Sequence, residues 1–145
     1  MDKQTRRIIE QDITDLIYRY AMLNDAGKWD ELAELYTIDA RFSRPSAPDD
    51  YIIGREAIRA AFKARPPRKT RHFVSNVMVE AEHPARIKAF SLIMLFQGEA
   101  LADAEGALPK MTANSPLVGY FEDEIVLMPE GYQFAQRRGG LDFMP

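Results

Sequence analysis

The spacing of apolar side chains changes period once along this chain, near residue 70: before it they recur every three or four residues, and after it they alternate. Between Gln4 and Asn24 the residues Ile9, Ile13, Leu16, Ile17, Tyr20 and Ala21 form one stripe and leave Arg6, Gln11, Asp15 and Arg19 outside it, which predicts an amphipathic helix. Gly27 is a natural stop, since glycine takes up the left-handed conformation that ends helices without steric cost. "KWDELAELY" restarts a short helix with Asp30 placed to cap it. "DARFSRP" predicts a brief strand ending at Pro45, "SAPDD" a loop, and "GREAIRAAFKAR" a third helix closed by Pro66 and Pro67.

Four β segments follow, at about Arg71–Glu82, Ala85–Leu101, Leu117–Met128 and Tyr132–Arg138, with "EHPA" and "PEG" supplying turns. "DAEGALPKMTANSP" is a longer, mobile connection. Helices first and antiparallel strands afterwards predict an α+β domain. In the first segment strict alternation puts His72, Val74, Asn76 and Met78 on one face and Phe73, Val77 and Val79 on the other. In the second, Phe90, Leu92, Met94 and Phe96 oppose Ala89, Ile93 and Leu95. An antiparallel sheet usually leaves one face to water. Neither face is polar here, so one side is expected to pack on the helices and the other on a second subunit.

With 145 residues the chain is expected to be one domain, residues 1–145, long enough for a proper core. A net charge of −3 with both signs interspersed gives no electrostatic case for nucleic acid or an anionic membrane. The exception is "KARPPRKTR", Lys63 to Arg71, which reads as a solvated loop rather than an anion site because it holds two prolines and no interleaved aromatics. The chain has no cysteine, which removes disulfides, thiol catalysis and cysteine-based metal sites and suits a reducing cytoplasm. Its N-terminus "MDKQTRRIIEQD" lacks the apolar core of a signal peptide, and the longest apolar run, "LIMLF", is far too short to span a bilayer. A cytoplasmic protein is expected. No cluster of His, Asp and Glu has metal-ligand spacing and no glycine-rich phosphate loop occurs, so neither metal nor cofactor is expected.

The stretches "LIYRYAMLNDAGKWDELAELYTIDARF", "GREAIRAAF", "RHFVSNVMVE" and "GYFEDEIVLMPEGYQFAQRR" together resemble the SnoaL-like branch of the nuclear transport factor 2-like superfamily and cover most of the chain in the expected order. The resemblance implies three N-terminal helices packed in a curved antiparallel β-sheet, a cystatin-like cone with an internal apolar pocket. The catalytic pattern is similar to the scytalone dehydratase and hexachlorocyclohexane dehydrochlorinase types, where an Asp at the end of the first helix pairs with a His on the first long strand. The matching positions are Asp25 and His72. The match departs in two places: "RIKAFSLIMLF" lacks the dehydratase type's second pocket histidine, and the water-holding tyrosines have no clear counterpart, Asn24 standing next to Asp25. "RHFVSNV" also resembles the β subunits of aromatic-ring-hydroxylating dioxygenases, which implies the alternative of a non-catalytic structural or ligand-binding subunit.

Local physics is compatible with the dyad. Asp25 continues the progression Ile13, Ile17, Ala21, so its side chain extends the buried stripe. It also sits at a helix C-terminus, where the dipole disfavours an anion by up to about 1 kcal/mol. A carboxylate so placed needs a cationic or proton-donating partner. His72 is the one histidine on a plausible inner face; His83, before Pro84, belongs to a turn. An isolated strand histidine is ordinarily a satisfied core or edge residue, and an Asp at a helix end ordinarily bonds its own loop; the pair together points to a base and the carboxylate that orients it. The expected activity is a cofactor-free, dehydratase-like lyase or isomerase step on a small apolar or cyclic substrate. Ile17, Tyr20, Ala21, Phe42, Phe62, Val74, Met78, Phe90, Met94 and Tyr120 are expected to line or back the pocket, with few fixed charges pointing into it and with Tyr20 or Asn76 bonding substrate. A homo-oligomer, dimer or trimer, is expected through the outer sheet face.

Overall fold

A computed structural model describes residues 1–100 and 106–145. The elements run α1 (Lys3–Ala26), α2 (Trp29–Ala33), β1 (Tyr36–Ser43), β2 (Ile52–Ile53), α3 (Arg55–Lys63), β3 (Lys69–His83), β4 (Arg86–Gly98), β5 (Leu117–Met128) and β6 (Gly131–Leu141). The expected strand end at Leu101, and residues 103–105 of the connection that follows, lie outside the described residues.

The stripe predicted for α1 is its buried face, with Ile13 and Ile17 completely enclosed. Each such isoleucine is worth about 1.5–3 kcal/mol of burial. At the helix start the Asp2 side chain accepts the Thr5 backbone N–H at 2.8 Å. At its end Gly27, with φ +68, donates its N–H to the Asn24 and Leu23 carbonyls. Asp30 does not cap α2. It stands in that helix's first turn and pairs with Arg59 and Lys63, each at 2.8 Å.

The strands form one sheet in the order β2-β1-β6-β5-β4-β3. From β3 to β6 the chain is an antiparallel meander, while β1 lies parallel to β6, so the sheet is mixed rather than wholly antiparallel. No hairpin joins β1 to β6, and turn chemistry, which sets strand direction elsewhere, is silent there. Register shifts between Ser75 and Met78, between Glu80 and His83, and where β6 meets Glu124 and Ile125 mark bulges. Bulges bend a strand and increase its twist, and the sheet curves around α1. Its inner face meets the helices in one core that includes Tyr36, Phe42, Ile58, Phe62 and Phe134. Among the described residues no helix is long and apolar enough to cross a membrane.

An ion pair lies inside this core. Asp123 on β5 stands directly opposite Arg137 on β6, and both carboxylate oxygens accept from the guanidinium, at 2.9 and 3.1 Å. The guanidinium is packed among the rings of Phe121, Tyr20 and Phe134 at 4.1, 4.4 and 4.6 Å. Burial pushes the Asp123 carboxyl up, and the two-pronged contact with Arg137 opposes that push.

Candidate active site

Asp25 sits in the last turn of α1, and His72 is the fourth residue of β3. Their side chains meet: His72 Nδ1 lies 2.5 Å from Asp25 Oδ1. The His72 backbone N–H donates to Asp25 Oδ2 at 2.8 Å, and the Thr70 hydroxyl donates to Oδ1 at 3.0 Å. Three donors from one strand therefore converge on a carboxylate at an electrostatically unfavourable helix end, which meets the need set by the helix phase. The two side chains are only 10% and 7% exposed. Burial pushes the Asp25 carboxyl up, but the bonds from the His72 ring and backbone, its charge and the Thr70 hydroxyl outweigh burial, so the carboxyl sits below its ordinary value.

A carboxylate can only accept, so Nδ1 carries the proton of a neutral His72 and Nε2 carries the lone pair. No described residue bonds Nε2. His72 lines a cavity of about 670 Å³, within the range of small-molecule sites. A lone pair fixed by an anion behind it and open to a cavity in front can remove a proton from a bound molecule.

The cavity wall matches the sequence expectation only in part. Tyr20 and Phe42 line it with His72. Tyr20 shares a hydrogen bond of 2.7 Å with Tyr36, either hydroxyl being the donor, and burial raises both phenols. Ile17, Ala21 and Phe62 belong to the core behind the wall, as does the half-buried Val74. Met78, Phe90, Met94 and Tyr120 do not line it. Met78, 66% exposed, Phe90 and Met94 stand on the outer face, and Tyr120 stacks on Phe90 there with ring centroids 5.7 Å apart.

The physical reason is a bulge. Asn76 and Val77 together oppose the single residue Ser91, so alternation along β3 resets at that point. His72 and Val74 point inward before it; Val77 and Val79 pack on the core after it, and Met78 is turned out. Asn76 takes the left-handed conformation, φ +52, and is exposed, so it serves the bulge and not the cavity. On β4 the residues opposite His72 and Val74 are Leu95 and Ile93. Facing partners share a face, so the wall takes Ile93 and Leu95 and excludes Phe90 and Met94.

Charge is the other departure. Arg44, Arg65 and Arg68 all line this cavity, along with Asn24 and Gln97. Few fixed charges were expected there, and "KARPPRKTR" was expected to be solvated loop. Its alternation with proline carried no signal that two of its arginines turn toward a cavity. Among the described residues no group of three or more His, Cys, Asp and Glu side chains gathers as metal ligands would.

Comparison with known proteins agrees with this architecture. The model of the SnoaL-like domain matches residues 7–138. No curated protein matches the chain. A solved structure of a candidate scytalone dehydratase from Novosphingobium aromaticivorans is 19% identical, with TM-score 0.81, over 98% of this chain and 89% of that one. A type 2 hexachlorocyclohexane dehydrochlorinase is 13% identical, with TM-score 0.77, over 98% and 90%. An NTF2-like protein with a cystatin-like fold, also from Novosphingobium aromaticivorans, is 20% identical, with TM-score 0.70, over 93% and 82%. At these identities the likeness speaks for the fold alone.

Proposed function

The chain belongs to the SnoaL-like domain family, and on that premise we propose that it is a cofactor-independent lyase or isomerase that removes a proton from an acidic C–H of a small cyclic substrate. His72 is the general base through Nε2. Asp25 holds the ring in the Nδ1–H tautomer and stabilises the imidazolium that forms. One observation carries the reading: the Asp25 carboxylate takes both donors of His72, ring and backbone, and leaves Nε2 at the cavity without a partner among the described residues. The elimination-type reaction proposed here is the one for which two proteins of the same fold, a candidate scytalone dehydratase and a dehydrochlorinase, are named.

The test is exchange of the acidic C–H of cyclic β-hydroxy ketones and cyclic ketones with deuterated solvent, followed by NMR, together with any elimination. Wild-type protein should accelerate exchange or elimination of at least one compound, and His72→Gln should lose about 10²–10⁴-fold of it, the usual contribution of a positioned base. A variant that turns over the same compound at the wild-type rate would sink the proposal. The competing reading, a non-catalytic subunit, expects no turnover by either protein and only the cost of a stranded buried partner, about 1–3 kcal/mol.

Self-association through the outer sheet face is part of the proposal. Phe73, Met78, Phe90 and Met94 remain exposed on that face, and an apolar patch of this kind marks an interaction surface in soluble proteins. A second copy presents the same patch, so a two-fold pairing would be self-complementary.

A further inference from the structure

Three arginines reach the cavity from two places in the fold. Arg44 directly follows β1, and Arg65 and Arg68 flank the two prolines between α3 and β3. Among the described residues none of the three makes an ion pair with a carboxylate, whereas Arg55, Arg59, Arg137 and Arg138 make seven arginine–carboxylate pairs elsewhere and Lys63 makes one more. Arg68 is bonded to the neutral Gln97 side chain. The Arg65 guanidinium lies over the Phe62 ring at 4.2 Å, and Phe62 is itself stacked on Phe42 and Trp29. Arg65 is therefore held in place by packing and has its donors left over. Burial, then the charges of Arg68 and Arg44, lower its proton affinity to about 10. Like charges gathered beside an apolar wall are unfavourable for the empty protein, and the arrangement becomes favourable only when an anion joins it.

A second, independent observation points to a ligand in the same cavity. Asn24 is 7% exposed, lines the cavity, and its side-chain oxygen has no hydrogen-bond partner. Buried amides are nearly always satisfied, so a bound group is the natural partner for this one.

We propose that the cavity binds an organic carboxylate, a small cyclic acid whose carboxylate is gripped by Arg65 with Arg44 and Arg68 beside it, and whose neutral polar end reaches Asn24. A guanidinium presents two parallel N–H donors that match the two carboxylate oxygens. The inference deepens the proposed function by giving its substrate a class, and it rests on this cavity being the substrate site. Recognition by arginine is separate from proton removal by His72, so the two can fail separately.

The test compares 2-naphthoate with 2-naphthamide, of nearly the same shape and without the charge, by isothermal titration calorimetry. The naphthoate should bind at least about 10-fold tighter, and its affinity should fall as sodium chloride rises from about 0.05 to about 0.5 M. Arg65→Gln should bring the two affinities together, and Arg44→Gln should narrow the gap; the latter carries the test if Arg65→Gln no longer melts cooperatively. Asp25→Asn should keep the preference for naphthoate whatever it does to turnover. Equal affinities in the wild type, or a preference that survives both arginine substitutions, would overturn the proposal.

Discussion

Asp25→Asn separates the dyad reading from a merely structural contact, and its outcome can be worked from the hydrogen bonds. Wild-type Asp25 accepts the His72 backbone N–H on one oxygen and the His72 ring N–H with the Thr70 hydroxyl on the other. Asparagine has one oxygen and one NH₂. If its oxygen keeps the backbone N–H, its NH₂ faces Nδ1, which must then accept; the ring proton moves to Nε2 and the lone pair turns away from the cavity. If the amide is reversed, two donors face each other at the backbone, a buried mismatch worth about 1–3 kcal/mol. The first arrangement costs less, so the variant should fold and melt within a few degrees of wild type while holding the wrong tautomer. Long-range ¹H–¹⁵N NMR of labelled histidine reads the tautomer without a substrate, and with two histidines in the chain assignment is simple. Wild-type His72 should show the Nδ1–H form at a pH where it is neutral, and Asp25→Asn the Nε2–H form. Turnover should fall about 10²–10⁴-fold. A variant that keeps the Nδ1–H tautomer, or its full activity, would refute the reasoning.

The same pair has a pH signature. Because the folded protein holds the Asp25 carboxyl below its ordinary value of 3.8, its contribution to stability is complete above that value. It is lost as pH falls through the lower, folded-state value. Urea unfolding should therefore show the difference between wild type and Asp25→Asn closing as pH falls through that acid range.

Asp123→Asn should leave the Arg137 cation buried without an anion, at a cost of about 3–5 kcal/mol; calorimetry should show the melting temperature lower by about 10 °C or more, and an unchanged melt would mean the pair is not isolated from water. Asn76→Val should cost about 1–2 kcal/mol, because a β-branched residue is driven out of the left-handed conformation, whereas Asn76→Gly should be tolerated. Met78→Glu should leave the melt unchanged in dilute solution yet abolish self-association measured by light scattering; a wild-type protein that is strictly monomeric at micromolar concentration would remove the interface.

Much of this was legible because it depends on short-range periodicity. The phase of α1 follows from Ile13, Ile17 and Ala21, and the same phase carries Asp25 inward; His72 lies at the near end of β3, ahead of any irregularity, so its face could be read from alternation. The far wall could not be read this way. A bulge acts as a slip of one residue, and a slip of one residue exchanges the two faces of a strand; alternation extended through Asn76 therefore assigns Met78 to the wrong side. Which residues of β4 stand beside His72 is set by pairing register across the hairpin, and both faces of β4 are apolar, so hydrophobicity does not choose between Leu95 and Met94. The buried ion pair left a fainter trace. In "FEDEI" Asp123 is in step with Phe121 and Ile125, the phase of a core-facing position, but alternation on one strand does not locate the partner, because Arg137 reaches it from the next strand. The arginines of the cavity left none: a basic, proline-rich loop has the same composition whether it faces water or a ligand, and only the path of the chain after α3 decides which.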